Sequence, residues 1–202
     1  MILYLHGFLS SGESAKAQWF DHKTQACLSV PFSRPTWPQS APDQSAAFFQ
    51  SLFASAQADR TPIQGVMGSS LGGFWARWLG ARYGLPSVWI NPALALDSVF
   101  APYFGDYVHP HTGEAICVDQ EYLLALKGYE VSPEAIGPSL ILLDGDDEII
   151  DSNRTRLAYQ GIPQAEVVWF DGGDHAFQHC DQAWSNVAAF WLENGVGLSV
   201  EC

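Results

Sequence analysis

The stretch that decides the fold reads Ile63-Gln64-Gly65-Val66-Met67-Gly68-Ser69-Ser70-Leu71-Gly72-Gly73-Phe74-Trp75-Ala76. Residues 63–67 are a short apolar run of strand length. From Leu71 the period changes: Leu71, Phe74, Trp75, Trp78 and Leu79 recur at the spacing of an amphipathic helix, with Arg77 and Arg82 off the stripe. Gly84 stops that helix and Pro86 follows. Between strand and helix lies Gly68-Ser69-Ser70-Leu71-Gly72, a G-x-S-x-G pattern. Composition alone yields such a pattern roughly 0.14 times in a chain this rich in Gly and Ser, so the flanking elements carry the weight. The turn is too tight for side chains at its outer positions, hence the glycines. Ser70 then stands at the carboxyl end of the strand, where open α/β sheets hold ligands. The N–H of Leu71, at a helix N-terminus, is placed to stabilise an oxyanion. No Lys-Ser/Thr pair closes the pattern, which argues against a phosphate loop. Ser69 fits the turn less well, since Met67 and Leu71 would occupy the glycine positions.

Working outward, further strand candidates lie at 2–5, 26–30, 87–90, 140–143 and 166–170. They are continuous apolar runs rather than alternating ones, as suits parallel strands covered on both faces. Helical patterns lie between them, over 43–58, from Asp151 or Ser152 to Gly161, and over 180–193. Alternating strands and helices imply right-handed crossovers and a three-layer α/β sandwich with a small, mostly parallel sheet of about six strands. A long connection, about 93–137, is rich in Pro, Gly and Tyr with one short helical stretch near 120–126. It is expected to be a lid on a single domain spanning 1–202.

Composition narrows the partners. Nine basic against 22 acidic residues give a net charge of −13, which disfavours nucleic acid and anionic membrane surfaces. No apolar stretch reaches the roughly 18 residues of a membrane span, and the first residues lack a secretory pattern. Cys27, Cys117, Cys180 and Cys202 are scattered without C-x-x-C spacing and read as reduced thiols of a cytoplasmic protein.

A serine nucleophile needs a base, and the base an orienting carboxylate. His175, in Asp171-Gly172-Gly173-Asp174-His175-Ala176-Phe177, follows the last strand in a flexible loop and is the expected base. The carboxylate is sought after the strand at 140–143, in Asp144-Gly145-Asp146-Asp147-Glu148. Asp147 is preferred, Asp146 is its rival, and Asp151 reads as a helix N-cap. After the first strand comes His6-Gly7-Phe8. Gly7 permits close backbone approach, the Phe8 N–H is the second oxyanion donor, and His6 reads as a loop brace. His109-Pro110-His111 lacks a third strong ligand and reads as a loop, so no metal is expected. Phe74, Tyr103 and Tyr107 are candidates to line the substrate pocket, together with Phe8, Trp19 and Phe104. Lys16 reads as a solvated helix residue that could otherwise meet an anionic substrate group.

Taken in order, these segments resemble the α/β-hydrolase superfamily and, within it, the YqiA/YcfP-like bacterial esterases. The resemblance rests on Leu3-Tyr4-Leu5-His6-Gly7-Phe8, Ser14-Ala15-Lys16-Ala17, Gly68 to Ala76, Asn91-Pro92-Ala93, Pro110-His111-Thr112-Gly113, Asp147 to Asp151 and Gly172 to Phe177. It departs where Asp146-Asp147-Glu148 stands in place of the usual Gly-Asp-Glu. It implies Ser70 as nucleophile, His175 as base and Asp147 as third member. It further implies a carboxylesterase acting on short acyl esters or thioesters without a cofactor. The ligand expected is a small-molecule ester; the oligomeric state is left open. The alternatives are a non-catalytic binding protein on the same fold, or a related triad hydrolase of amide or C–C bonds.

Overall fold

The computed structural model describes residues 1–198; Cys202 and the rest of residues 199–202 lie outside the described residues. The chain begins with β1 (Ile2–Leu5), α1 (Ala15–Leu28), β2 (Phe32–Ser33), α2 (Pro42–Ala58), β3 (Gly65–Ser69), α3 (Leu71–Tyr83) and β4 (Ser87–Ile90). It continues with α4 (Leu96–Phe100), β5 (Gly105–Val108), β6 (Ala115–Val118) and α5 (Gln120–Lys127). It ends with β7 (Ser139–Asp144), α6 (Ser152–Tyr159), β8 (Ala165–Phe170) and α7 (Cys180–Glu193). Six strands form one sheet in the order β2-β1-β3-β4-β7-β8, every pair parallel. β5 and β6 make a separate antiparallel hairpin.

The three layers follow from the strands' period of two. Leu3 and Leu5, Trp89, Ile141 and Leu143 point to one face, packing with α2, α3 and the 93–137 segment. Ile2 and Tyr4, Met67, Val88 and Ile90, Leu140 and Leu142 point to the other, packing with α1 and α7. Both faces are buried, which is why the strands read as continuous apolar runs. Trp191 of α7 is fully buried, and its ring lies where a Cβ on Gly65 would fall at 2.5 Å. Gly65 therefore leaves the room that α7 needs to dock.

Two expectations are corrected. Residues 26–28 close α1 instead of forming a strand, and the edge strand is the short β2. Ala17, Phe20, Thr24, Cys27 and Leu28 are the buried face of α1 at helical spacing; the local apolar run at 26–30 is the end of that face. Ser14 caps this helix, its side chain accepting from the Ala17 N–H. Cys27 is disulfide-bonded, whereas Cys117 and Cys180 are free thiols. Cys27 is therefore not the reduced thiol expected from its spacing. Among the described residues no helix is long and apolar enough to cross a membrane.

The segment after β4 carries more structure than its sequence suggests. Beside α5 it holds α4 and the β5–β6 hairpin. β6 alternates exposed and buried residues, with Ile116 and Val118 turned inward. α5 is capped by Asp119, whose carboxylate accepts from the Tyr122 N–H at 2.8 Å.

Truncating a fully buried Trp leaves a large cavity, worth about 3–5 kcal/mol. Trp191→Ala is therefore expected to lower the urea midpoint by that amount of stability while leaving the chain folded at low denaturant. An unchanged midpoint would show that α7 is not docked as described.

Candidate active site

Ser70 sits between β3 and α3 with φ 56° and ψ −121°, a backbone region that non-glycine residues avoid. The surroundings force this conformation. Its N–H donates to the Ile90 carbonyl at 3.0 Å, and its own carbonyl accepts from Gly73 at 2.9 Å and Ala93 at 3.1 Å. The two motif glycines allow the crossing. A Cβ on Gly68 would fall 2.1 Å from the Gly72 oxygen, and one on Gly72 would fall 2.0 Å from the Leu5 oxygen.

The structure brings together the residues expected from the sequence. His175 Nε2 lies 2.9 Å from Ser70 Oγ, and His175 Nδ1 lies 2.9 Å from Asp147 Oδ2. The Asp147 side chain is fully buried. Its Oδ1 accepts from the Ile149 and Ile150 N–H groups, both at 2.8 Å. Its rival Asp146 is exposed. Asp151 caps α6, accepting from the Arg154 N–H. With Asp147 accepting, Nδ1 carries the proton and Nε2 is left to accept from the serine hydroxyl.

A second carboxylate that sequence reasoning passed over shapes the His175 loop. Asp144, fully buried at the end of β7, accepts from Gln178 N at 2.8 Å and Asp174 N at 3.2 Å, and pairs with His179 Nδ1 at 2.7 Å. A Cβ on Gly173 would fall 2.0 Å from Asp144 Oδ2, so the loop closes this tightly only with glycine there. Asn91 joins the two strand ends, accepting from Asp144 N and donating to the Asp174 carbonyl. Glu148 accepts from the His175 N–H at 3.0 Å. The signal for these positions is their place at the ends of β4 and β7, beside the His175 loop.

The loop after β1 is equally braced. The Gly7 carbonyl accepts from His6 Nδ1 at 2.9 Å and from Gln39 Nε2 at 3.0 Å. Gln39 Oε1 accepts from the Leu9 N–H at 2.8 Å. In a trans peptide the N–H points opposite the carbonyl, so holding the Gly7 oxygen in this direction turns the Phe8 N–H the other way. Gly7 lies beside the serine, since a Cβ on it would fall 3.3 Å from Ser70 Cβ. Leu71 is the first residue of α3, so its N–H has no acceptor within the helix. The 93–137 segment reaches this loop through Glu114, whose two carboxylate oxygens accept from Gln39 N at 2.9 Å and Ser40 N at 3.1 Å.

A cavity of about 470 Å³ opens over Ser70 and His175. Its wall carries apolar residues, among them Phe8, Val99, Phe100, Tyr103 and Ile149, and polar ones, among them Ser10, Ser14, Lys16 and Ser69. Tyr103 thus lines the pocket as expected, whereas Phe74 does not. Phe74 is fully buried in the core against Trp75. Tyr107 stands behind the wall instead of in it: its ring meets Phe8 edge-on at 5.5 Å and its hydroxyl donates to the Tyr103 carbonyl. Phe104 is exposed, and Trp19 packs on Trp184 away from the site. Lys16 is half-buried in the cavity wall and is not a solvated helix residue. Among the described residues no cluster of three His, Cys, Asp or Glu could hold a metal ion.

A family model described as an uncharacterised protein family, UPF0227, matches residues 1–192. A UPF0227 protein of Vibrio vulnificus is 28% identical over 203 residues, covering 96% of this chain and all of that one. One from Yersinia pseudotuberculosis is 27% identical over 198 residues, covering 94% and 98%. Among solved structures, Est1E from Butyrivibrio proteoclasticus aligns with TM-score 0.75 and 14% identity over 96% of this chain and 87% of its own. The Pyrococcus furiosus esterase PF2001 aligns with TM-score 0.72 and 14% identity, covering 95% and 80%. Mouse alpha/beta hydrolase domain-containing protein 10 aligns at 0.70 with 15% identity, covering 93% and 86%. The fold is that of the α/β-hydrolases.

Burial pushes the His6 imidazole down from 6.5 to about 4, so the unfolded chain binds a proton at His6 that the folded chain refuses. Between about pH 4 and 6.5 this group makes stability rise with pH, by at most about 1.4 kcal/mol per unit. Its contribution is complete above that window and lost on descending through it. Urea titrations across the window are expected to show a shallower slope in His6→Gln; equal slopes would mean that His6 charges freely in the fold.

Proposed function

The chain belongs to the uncharacterised family UPF0227, and from that premise we propose that it is a serine carboxylesterase of short acyl esters or thioesters. The observation that carries this reading is the unbroken hydrogen-bonded chain Ser70–His175–Asp147 opening into a cavity. Ser70 Oγ attacks the ester carbonyl as His175 Nε2 takes its proton. Asp147 holds the ring in the required tautomer and stabilises the imidazolium. The N–H groups of Phe8 and Leu71 receive the oxyanion. His175 then passes the proton to the leaving oxygen, freeing the alcohol and leaving an acyl-serine. Water, deprotonated by the same nitrogen, hydrolyses that intermediate. The apolar residues of the cavity wall suit a small acyl chain, and the cavity's volume lies in the usual range for small-molecule sites. No step requires a cofactor, and the partner is a small molecule rather than a nucleic acid or a membrane.

Ser70→Ala is expected to reduce para-nitrophenyl butyrate hydrolysis by roughly a thousandfold or more, and Asp147→Asn by a comparable factor through the wrong tautomer. A fluorophosphonate probe is expected to label Ser70 in the native protein, located by mass spectrometry after digestion. Folded protein that takes no label and turns over no ester would leave a binding module on a hydrolase fold.

A further inference from the structure

We infer that Lys16 is a specificity residue of this site, selecting esters that carry a carboxylate on their alcohol half. The inference rests on the esterase reading and deepens it. The Lys16 ammonium lies in the cavity wall, 2.7 Å from Ser69 Oγ and 6.0 Å from the Phe177 ring centre. Among the described residues it takes part in no ion pair. A desolvated ammonium held by one neutral oxygen is costly. Burial accordingly pushes it down to about 8, against the partial compensation of Cys180, Asp144, Asp147 and Asp174. An anion arriving in the cavity would relieve that cost.

The surrounding donors define the anion. Ser69 Oγ accepts from Lys16, which leaves its own hydroxyl proton to donate. Ser14 Oγ accepts from the Ala17 N–H as helix cap, which likewise leaves its proton. Both serines line the cavity beside Lys16. One ammonium and two hydroxyls match a carboxylate. A phosphate dianion would bring a second charge toward Asp144, Asp147 and Asp174, with no second cation in the cavity wall to meet it.

The place of Lys16 against the His175 loop assigns the half of the substrate. The leaving oxygen must face His175 Nε2 to receive its proton. Lys16 and Ala176, which directly follows His175, both line the cavity, and the ring under the ammonium is that of Phe177 in the same loop. The apolar residues of the wall, Val99, Phe100 and Tyr103 among them, are then left to the acyl chain.

The test moves one charge between the two halves. meta-Butyryloxybenzoate and its methyl ester differ on the alcohol half; mono-para-nitrophenyl succinate and para-nitrophenyl butyrate differ on the acyl half. Wild type is expected to favour meta-butyryloxybenzoate over its methyl ester by roughly tenfold or more in kcat/KM. That ratio is expected to fall to about one in Lys16→Met and to recover in part in Lys16→Arg, with no such preference in the acyl pair. No preference in wild type, or a ratio that Lys16→Met leaves unchanged, overturns the inference. A preference confined to the acyl pair overturns the assignment to the alcohol half. Calorimetric binding of meta-hydroxybenzoate to Ser70→Ala, with and without Lys16→Met, separates this from the esterase reading. Weaker binding in the double variant, with no ester turned over by wild type, keeps the anion site and removes the esterase. Equal binding removes the anion site even where esters are hydrolysed.

Discussion

The crossing of β1, β3 and α3 at two glycines is the constraint on which the rest depends. Three backbones meet where Gly68 faces the Gly72 carbonyl and Gly72 faces the Leu5 carbonyl, at separations no side chain would survive. This contact draws the N-terminus of α3 onto the sheet and bends Ser70 into its left-handed conformation. The same contact brings the end of β1, and with it Gly7, against the serine. The placing of Ser70, of Gly7 and of the first turn of α3 is thus the consequence of one packing event. A strained residue persists when its neighbours over-determine it; here the carbonyl of Ile90 and the N–H groups of Gly73 and Ala93 do so.

Two aspartate–histidine pairs then divide the carboxyl edge of the sheet. Asp147 and His175 face the cavity, with the imidazole reaching Ser70. Asp144 and His179 lie behind them, where the carboxylate also gathers the N–H groups of Asp174 and Gln178. The inner pair fixes the loop that carries the outer histidine. Both carboxylates are fully buried, yet each is satisfied by backbone donors as well as by its histidine. Such satisfaction makes a buried charge tolerable.

Much of this was legible because it is local. The change of period at Leu71 and the glycines around Ser70 mark the turn, and a histidine in a Gly-rich loop after the last strand marks the base. Asp147 was one of several acidic residues in its loop, and choosing it required knowing which side chain faces inward, a tertiary property. Asp144 was hidden for the same reason: its partners lie some thirty positions away in sequence. Phe74 was misplaced because an aromatic next to a catalytic turn reads equally as pocket or core, and helix orientation decides it. Lys16 was misread because nothing in α1 reveals that its first turn opens into the cavity. The β5–β6 hairpin escaped because β5 is largely exposed and lacks an inward-facing stripe.

The bond between Glu114 and the residues that brace Gly7 has a consequence for how this fold diversifies. Lids of hydrolases are commonly pictured as interchangeable covers on a fixed engine, since loops vary more freely than the scaffold. In this chain the cover is also a structural member of the engine. Glu114 holds Gln39, and Gln39 holds the Gly7 carbonyl and the Leu9 N–H. A segment of different sequence in its place would take away that carboxylate and slacken the loop at Gly7. Evolutionary change in the cover is therefore tied to change at residues 39 and 40, so the two segments are expected to vary as one inherited unit.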